Sequence, residues 1–201
     1  MPIAINGSGT VTGISTGGIS DTKAIATAAQ PTGAVLQVVQ KAVTSAYAAS
    51  IGSTETVPTG MFQTITTTTN SSKVLVFVNM TLLVDGSYNG SQWKLRRNSG
   101  TNDVTVSGSS NIFVGDAASN RDQATMAMQG PTQSIGAYNG FSCGTQFLDT
   151  PGNAGAYTYF IGFRDTNTSA NFFYLNRGYN DANDQTQPRS TSSMTLIEVS
   201  A

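Results

Sequence analysis

Four aspartates carry most of the acid–base chemistry this sequence has to offer. Asp149, Asp165, Asp181 and Asp184 lie in Gly-, Asn- and Thr-rich surroundings. Two carboxylates facing each other across a sugar supply the acid and the base or nucleophile of glycoside hydrolysis. A solvated loop aspartate is the competing reading of each, and it is preferred because polysaccharide-cleaving enzymes built on a repetitive β-helix are usually longer chains. The chain has no histidine, so neither a Ser-His-Asp nor a Cys-His nucleophile system can move its proton. Cys143 is the only cysteine, which removes the usual zinc sets as well. No glycine-rich segment ends in Gly-Lys-Ser/Thr, and Gly7-Ser8-Gly9-Thr10-Val11-Thr12-Gly13 does not fit the dinucleotide fingerprint. Asp181-Ala182-Asn183-Asp184 offers fewer oxygens than the roughly six to eight that calcium takes. The sequence therefore assigns no catalytic residue, no cofactor and no metal, and it reads as non-enzymatic.

Binding chemistry is better represented. Gly86-Ser87-Tyr88-Asn89-Gly90 and Gly178-Tyr179-Asn180 place a ring beside an amide in glycine-bearing loops. Flat rings stack on sugar faces and amides bond hydroxyls, so Tyr88, Asn89, Tyr179 and Asn180 are the candidate receptor-contacting residues. Tyr and Asn as ordinary turn residues are the alternative. Net charge is -1, and the densest basic stretch is Lys94-Leu95-Arg96-Arg97. That is too little clustered positive field for a nucleic-acid partner. The most apolar run, Lys73–Val84, is interrupted by Asn79 and Thr81 and is shorter than a membrane span. The opening Met1-Pro2-Ile3-Ala4-Ile5-Asn6 lacks the charge and apolar core of a signal peptide. Synthesis and assembly in a cytoplasm are expected, in keeping with a lone cysteine.

The elements that must position these residues are strands. Two glutamates, Glu55 and Glu198, and four lysines are far fewer than surface helices draw on, whereas Thr, Val, Tyr and Phe suit a pleated surface. Apolar runs between turn-forming clusters predict strands at Val35–Lys41, Phe62–Thr68, Val74–Val84, Ser91–Asn98, Ile112–Gly115, Gln123–Met128, Gly140–Asp149, Ala156–Asp165, Asn171–Arg177 and Ser193–Val199. The expected fold is all-β: an antiparallel β-sandwich (jelly roll) over residues 34–201, preceded by a short Gly/Ser/Thr-rich N-terminal arm over 1–33. The arm holds too few branched apolar residues for a core of its own and is expected to dock on a neighbouring copy, on a partner protein, or on the sheet of the sandwich. Alternation sets Tyr157, Tyr159, Ile161 and Phe163 on one face of their strand and Thr158, Phe160, Gly162 and Arg164 on the other. It also turns Trp93 away from Lys94 and Arg96 into the core, with Arg97 on its face near the rim. Met126, Met128 and Cys143 read as apolar filler. Around Val74–Val84 both faces are apolar, Val74, Val76, Val78 and Met80 against Leu75, Phe77 and Leu83. Such a strand is covered on both sides, by a second subunit or by a loop of its own chain.

Ile5-Asn6-Gly7-Ser8-Gly9-Thr10-Val11-Thr12-Gly13-Ile14-Ser15-Thr16-Gly17-Gly18 resembles the opening of tail-fibre-like and virion structural proteins of marine and freshwater tailed phages, the cyanophage type. Ser71-Ser72-Lys73-Val74-Leu75-Val76, Trp93-Lys94-Leu95-Arg96-Arg97-Asn98, Val114-Gly115-Asp116-Ala117, Phe147-Leu148-Asp149-Thr150-Pro151, Tyr157-Thr158-Tyr159-Phe160, Asn176-Arg177 and Ser190–Val199 are similar to the same family, in order along nearly the whole chain. The chain departs from that pattern at Ser20–Ala34, where a Leu-Pro-Asp-Gly turn often follows. The resemblance implies a virion surface role, with the arm attached to other phage proteins. The two-sided apolar strand adds the expectation of a homotrimeric head of the TNF/C1q type, and the Tyr- and Asn-bearing loops that of contact with a host-surface glycan. The resemblance itself implies a tail fibre or, as the close alternative, a capsid decoration protein. A small polysaccharide-degrading tail protein is the third reading. The near absence of a shaft between arm and head is what keeps decoration close.

Overall fold

In a computed structural model the described residues are 31–85, 89–129, 140–166, 171–183, 185 and 187–201. They form eleven strands: β1 (Val35–Val43), β2 (Tyr47–Ile51), β3 (Phe62–Thr67), β4 (Lys73–Asp85), β5 (Asn89–Ser99), β6 (Ser110–Phe113), β7 (Met126–Gln129), β8 (Phe141–Asp149), β9 (Gly155–Asp165), β10 (Asn171–Leu175) and β11 (Ser192–Val199). Every pairing is antiparallel. Ten strands fall on predicted segments. The unpredicted one is β2, whose Tyr47-Ala48-Ala49-Ser50-Ile51 carries two alanines where a strand pattern needs larger side chains.

Sheet I has β8 along one edge of β4. Along the other edge β11 pairs the first part of β4 and β10 pairs its last residues. β1 pairs β11 and β2 pairs β10, so β1 and β2 together make one interrupted outer strand. Sheet II runs β3-β9-β5, with β6 and β7 sharing the far edge of β5. Counting each interrupted strand as one, the two sheets have the strand order of a jelly roll.

The core lies between the sheets. Val74, Val76, Val78, Met80, Leu82 and Val84 of β4, with Phe173, Leu175, Met194 and Leu196, meet Trp93, Leu95, Tyr159, Ile161 and Phe163 of sheet II. Phe163 stacks on Phe173 across the gap at 4.3 Å, and Phe113 stacks on Phe147 at 4.8 Å nearer the open edge. The expected alternation in β9 therefore holds, as does the inward position of Trp93. Met126, Met128 and Cys143 pack against this core as filler. Of the arm, residues 1–30 lie outside the described set. Residues 31–33 belong with the sandwich, since the Gly33 N–H donates to the Ser200 carbonyl and Ser200 Oγ to the Pro31 carbonyl.

Two apolar faces on β4 have two different outcomes. At Leu83 the outer face is covered from within the chain, because Tyr174 is its cross-strand neighbour and both are buried. Lower on the strand, register aligns Val38, Ile197, Leu75 and Leu148 in one row across four strands. Val38 is 57% exposed and Leu148 46%, and Phe77 in the next row is exposed as well. Between the row and Leu83 the face turns polar, with Gln40, Thr195, Gln146, Ser193, Asn79 and Thr81.

Candidate binding site

The site is built where β10 ends. Asn171, Phe173 and Leu175 point into the sandwich, so alternation sends Phe172 and Tyr174 to the outer face. Asn176 then breaks the strand with a left-handed backbone (φ 61°), a conformation asparagine tolerates better than most residues. Its side chain is fully committed. Nδ2 donates to the carbonyls of Val43 (2.7 Å) and Ser45 (3.0 Å), and Oδ1 accepts from Ser192 Oγ (2.6 Å). One buried amide thus fixes both interruptions, β1 to β2 and β10 to β11. It also releases the following segment from the sheet.

That segment brings charge to the aromatic surface. Arg177 lies over the Tyr174 ring at 5.0 Å from its centre and pairs with Asp181 Oδ2 at 2.6 Å. Arg189 takes the other carboxylate oxygen, Oδ1, at 2.5 Å. Tyr179 meets Tyr174 edge-on at 5.7 Å, and Phe172 lies nearly parallel to Tyr174 at 6.3 Å. The result is an open cleft of about 440 Å³ lined by the rings of Phe172, Tyr174 and Tyr179, by Ala48, and by Arg177, Asn180 and Asp181. Phe172 is 44% and Tyr179 47% exposed.

Tyr179 and Asn180, singled out in the sequence, are therefore together in one cleft. Tyr88 lies outside the described residues. Asn89 begins β5, where its backbone pairs with Gln129 in sheet II, and its side chain is also outside the described set. Sequence reasoning missed Phe172, Tyr174, Arg177 and Arg189 as site residues. The available signal was Asn171–Arg177 itself, where Phe172 and Tyr174 make a second apolar face opposite Phe173 and Leu175.

The aspartates require a correction. Asp149 and Asp165 are buried, not solvated loop residues. Asp149 closes β8, pairs with Arg97 and accepts a 2.8 Å hydrogen bond from Tyr159 Oη. Burial, and then the Asp149 charge, push the Tyr159 phenol far up, so it remains a donor. Arg97, which also lies over the Tyr157 ring, ties sheet II to sheet I at the rim its alternation predicts. Asp165, at the other end of β9, accepts from Ser91 Oγ (2.7 Å) and from Asn171 Nδ2. Tyr159 and Asp165 are roughly 20 Å apart along β9, against the ~5–9.5 Å that separates a glycosidase carboxylate pair. Asp181 is in the cleft with both oxygens in ion pairs, and Asp184 is outside the described residues. Burial pushes the Cys143 thiol up to about 11, which keeps it protonated.

The chain matches no protein-family model and no curated protein sequence. Among the described residues, no three His, Cys, Asp or Glu side chains gather in a way that could hold a metal ion. No helix there is long and apolar enough to cross a membrane.

Proposed function

We propose that this chain is a non-enzymatic virion structural protein: a homotrimeric, tail-fibre-like surface appendage of a tailed phage that contacts a host-surface glycan. The observation that carries the reading is the apolar row Val38, Ile197, Leu75 and Leu148 on the outer face of sheet I, exposed at Val38 and Leu148 and half-buried between them, with exposed Phe77 beside it. A sandwich that worked alone would carry polar side chains there. Burying one Leu or Phe side chain is worth about 1.5–3 kcal/mol, so copies that cover the row with one another gain a strong and non-directional drive to associate. The row carries no charge, and closed symmetry lets the same patch serve every copy. The cleft near the opposite end of that face supplies the aromatic and polar groups for a receptor contact. The commitment of Asp149 and Asp165 to structural hydrogen bonds supports a non-catalytic role.

Light scattering coupled to size exclusion tests the assembly. The purified chain is expected at three times its 20.9 kDa mass, and the Leu75→Asp/Leu148→Asp variant at the single-chain mass. A wild-type monomer sinks the homotrimer. Immunogold labelling of purified particles tests the location: label on tails supports the fibre reading, label on heads moves the protein to capsid decoration, and no label removes it from the virion.

A further inference from the structure

We propose that the cleft between Phe172 and Tyr179 is a subsite for one uncharged pyranose ring. The inference rests on the reading above only for the source of the sugar, a host-surface glycan. Its first support is shape. An open cleft of about 440 Å³ lined by two part-exposed rings lies within the ~300–1,000 Å³ of small-ligand sites, which combine apolar walls with a few placed polar groups. A pyranose has the matching two-sided character, a C–H face to lie on a ring and a hydroxyl edge to bond.

The second support is the state of the polar groups. Asp181 is held through both oxygens, by Arg177 at 2.6 Å and Arg189 at 2.5 Å, so it is oriented before any ligand arrives. A carboxylate has about four lone-pair positions, and two contacts leave acceptor capacity for a hydroxyl. Arg177 is held in turn by the Tyr174 ring, and its Nε is buried without a hydrogen-bond partner. Asn180 adds an amide to the lining. Acceptor, donors and stacking surface are thus fixed in one place at low ordering cost.

The third support is charge, which selects within the sugars. Arg177 and Asp181 are the charged side chains lining the cleft, and Asp181 already engages two guanidinium groups, those of Arg177 and Arg189. A carboxylated or sulfated sugar would have to compete with Asp181 for the same guanidinium groups, whereas a neutral hydroxyl edge bonds both partners without separating them. Position separates the cleft from the self-association row. From Leu75 to Leu83 is roughly 26 Å along β4, and beyond Phe77 the face between is polar.

The test is saturation-transfer NMR on the intact chain with methyl α-D-glucopyranoside, methyl α-D-mannopyranoside, methyl β-D-galactopyranoside and, as the charged probe, N-acetylneuraminic acid. At least one neutral glycoside is expected to show saturation of its ring protons. That signal is expected to fall at least fivefold in both Tyr179→Ala and Asp181→Asn, with N-acetylneuraminic acid giving less. Tyr179 is half exposed, so its truncation is expected to leave the fold intact, which the amide spectrum checks. Silence from all three neutral glycosides overturns the proposal, as does a strongest signal from the acidic sugar or an unchanged signal in a folded Tyr179→Ala. Light scattering on Tyr179→Ala closes the other route. An unchanged assembly mass keeps the cleft as a ligand site, and dissociation overturns the proposal by making it a subunit contact. The sugar experiment fails independently of the trimer and the particle, because neither assembly mass nor immunogold labelling depends on sugar binding.

Discussion

The outer faces of the two sheets solve opposite problems. On sheet II the outward residues of β5 are Gln92, Lys94, Arg96 and Asn98, and all four are buried. The chain's own loops cover them. Thr56 pairs with Phe163 at the edge of β9, which lets the Glu55 side chain lie across β9 and reach Arg96 on β5. Gly162 makes that crossing feasible, since a Cβ there would overlap the Glu55 carboxylate. Glu55 and Arg96 form a two-pronged pair, with Arg96 Nη2 2.5 Å from Glu55 Oε2, and Ser109 accepts from Arg96 Nη1 at 2.8 Å. Asn98 is held by the carbonyls of Asp103 and Thr105. On sheet I the outward row Val38, Ile197, Leu75 and Leu148, with Phe77 beside it, is apolar, and Val38, Leu148 and Phe77 are bare. Charged side chains are buried on one face and branched apolar ones exposed on the other. Burial here follows where the connecting loops run more closely than it follows residue type, and the face left without a loop is the one that a partner can cover.

The largest effect is expected at the loop clasp on sheet II. Glu55→Gln leaves the Arg96 guanidinium buried without its counter-charge, a loss of about 3–5 kcal/mol in urea unfolding. The Glu55→Met/Arg96→Met pair is expected back within about 1 kcal/mol of wild type, because the desolvation cost goes with the charges. A small loss for Glu55→Gln alone would show that the loop is held by something else. Gly162→Ala keeps both charges and pushes the carboxylate off β9, with an expected cost of about 1–3 kcal/mol by the same measurement.

A smaller, pH-dependent loss is expected where the two sheets are tied at their common end. Burial pushes the Glu198 carboxyl up, but hydrogen bonds from Ser72 and the Thr68 backbone outweigh it and hold the group below its ordinary range. Gln37 and the Thr68 hydroxyl also donate to it. A carboxyl lowered on folding contributes stability that is present above its unfolded value of 4.5 and disappears as pH falls through the folded one. The urea midpoint should therefore drop between about pH 5 and about pH 3, and Glu198→Gln should flatten that part of the profile. An unchanged slope would remove Glu198 from the acid response. The smallest stability effect is expected on the bare face. Leu148→Asp should move unfolding stability of the separated chain by no more than ~0.5 kcal/mol while lowering the assembly mass. A large loss in the separated chain would mean that the row is already covered from within, and the contrast between the two faces would fail.

Much of the strand pattern was legible because alternation is a property of neighbours in the chain. Tyr157, Tyr159, Ile161 and Phe163 declare their common face within β9, and Val74 to Met80 do the same in β4. β2 escaped because Ala48 and Ala49 add little contrast, and its pairing with β10 is what makes it a strand. Of the cleft, Tyr179 and Asn180 stood out by their loop chemistry. Arg177 and Arg189 did not, since their role depends on both reaching one carboxylate.

The sequence by itself determined an all-β sandwich, the inward faces of its long strands, and the presence of a second apolar face on β4. Only the tertiary structure decided which polar groups would be buried and which apolar ones left bare. Glu55 meets Arg96, Arg97 meets Asp149 and Asn176 meets Val43 across long stretches of intervening chain. Period-two patterning fixes the side on which a residue stands. Which loop then crosses that side is set by strand order and by permissive positions such as Gly162, where a missing Cβ lets a side chain from a distant segment lie flat.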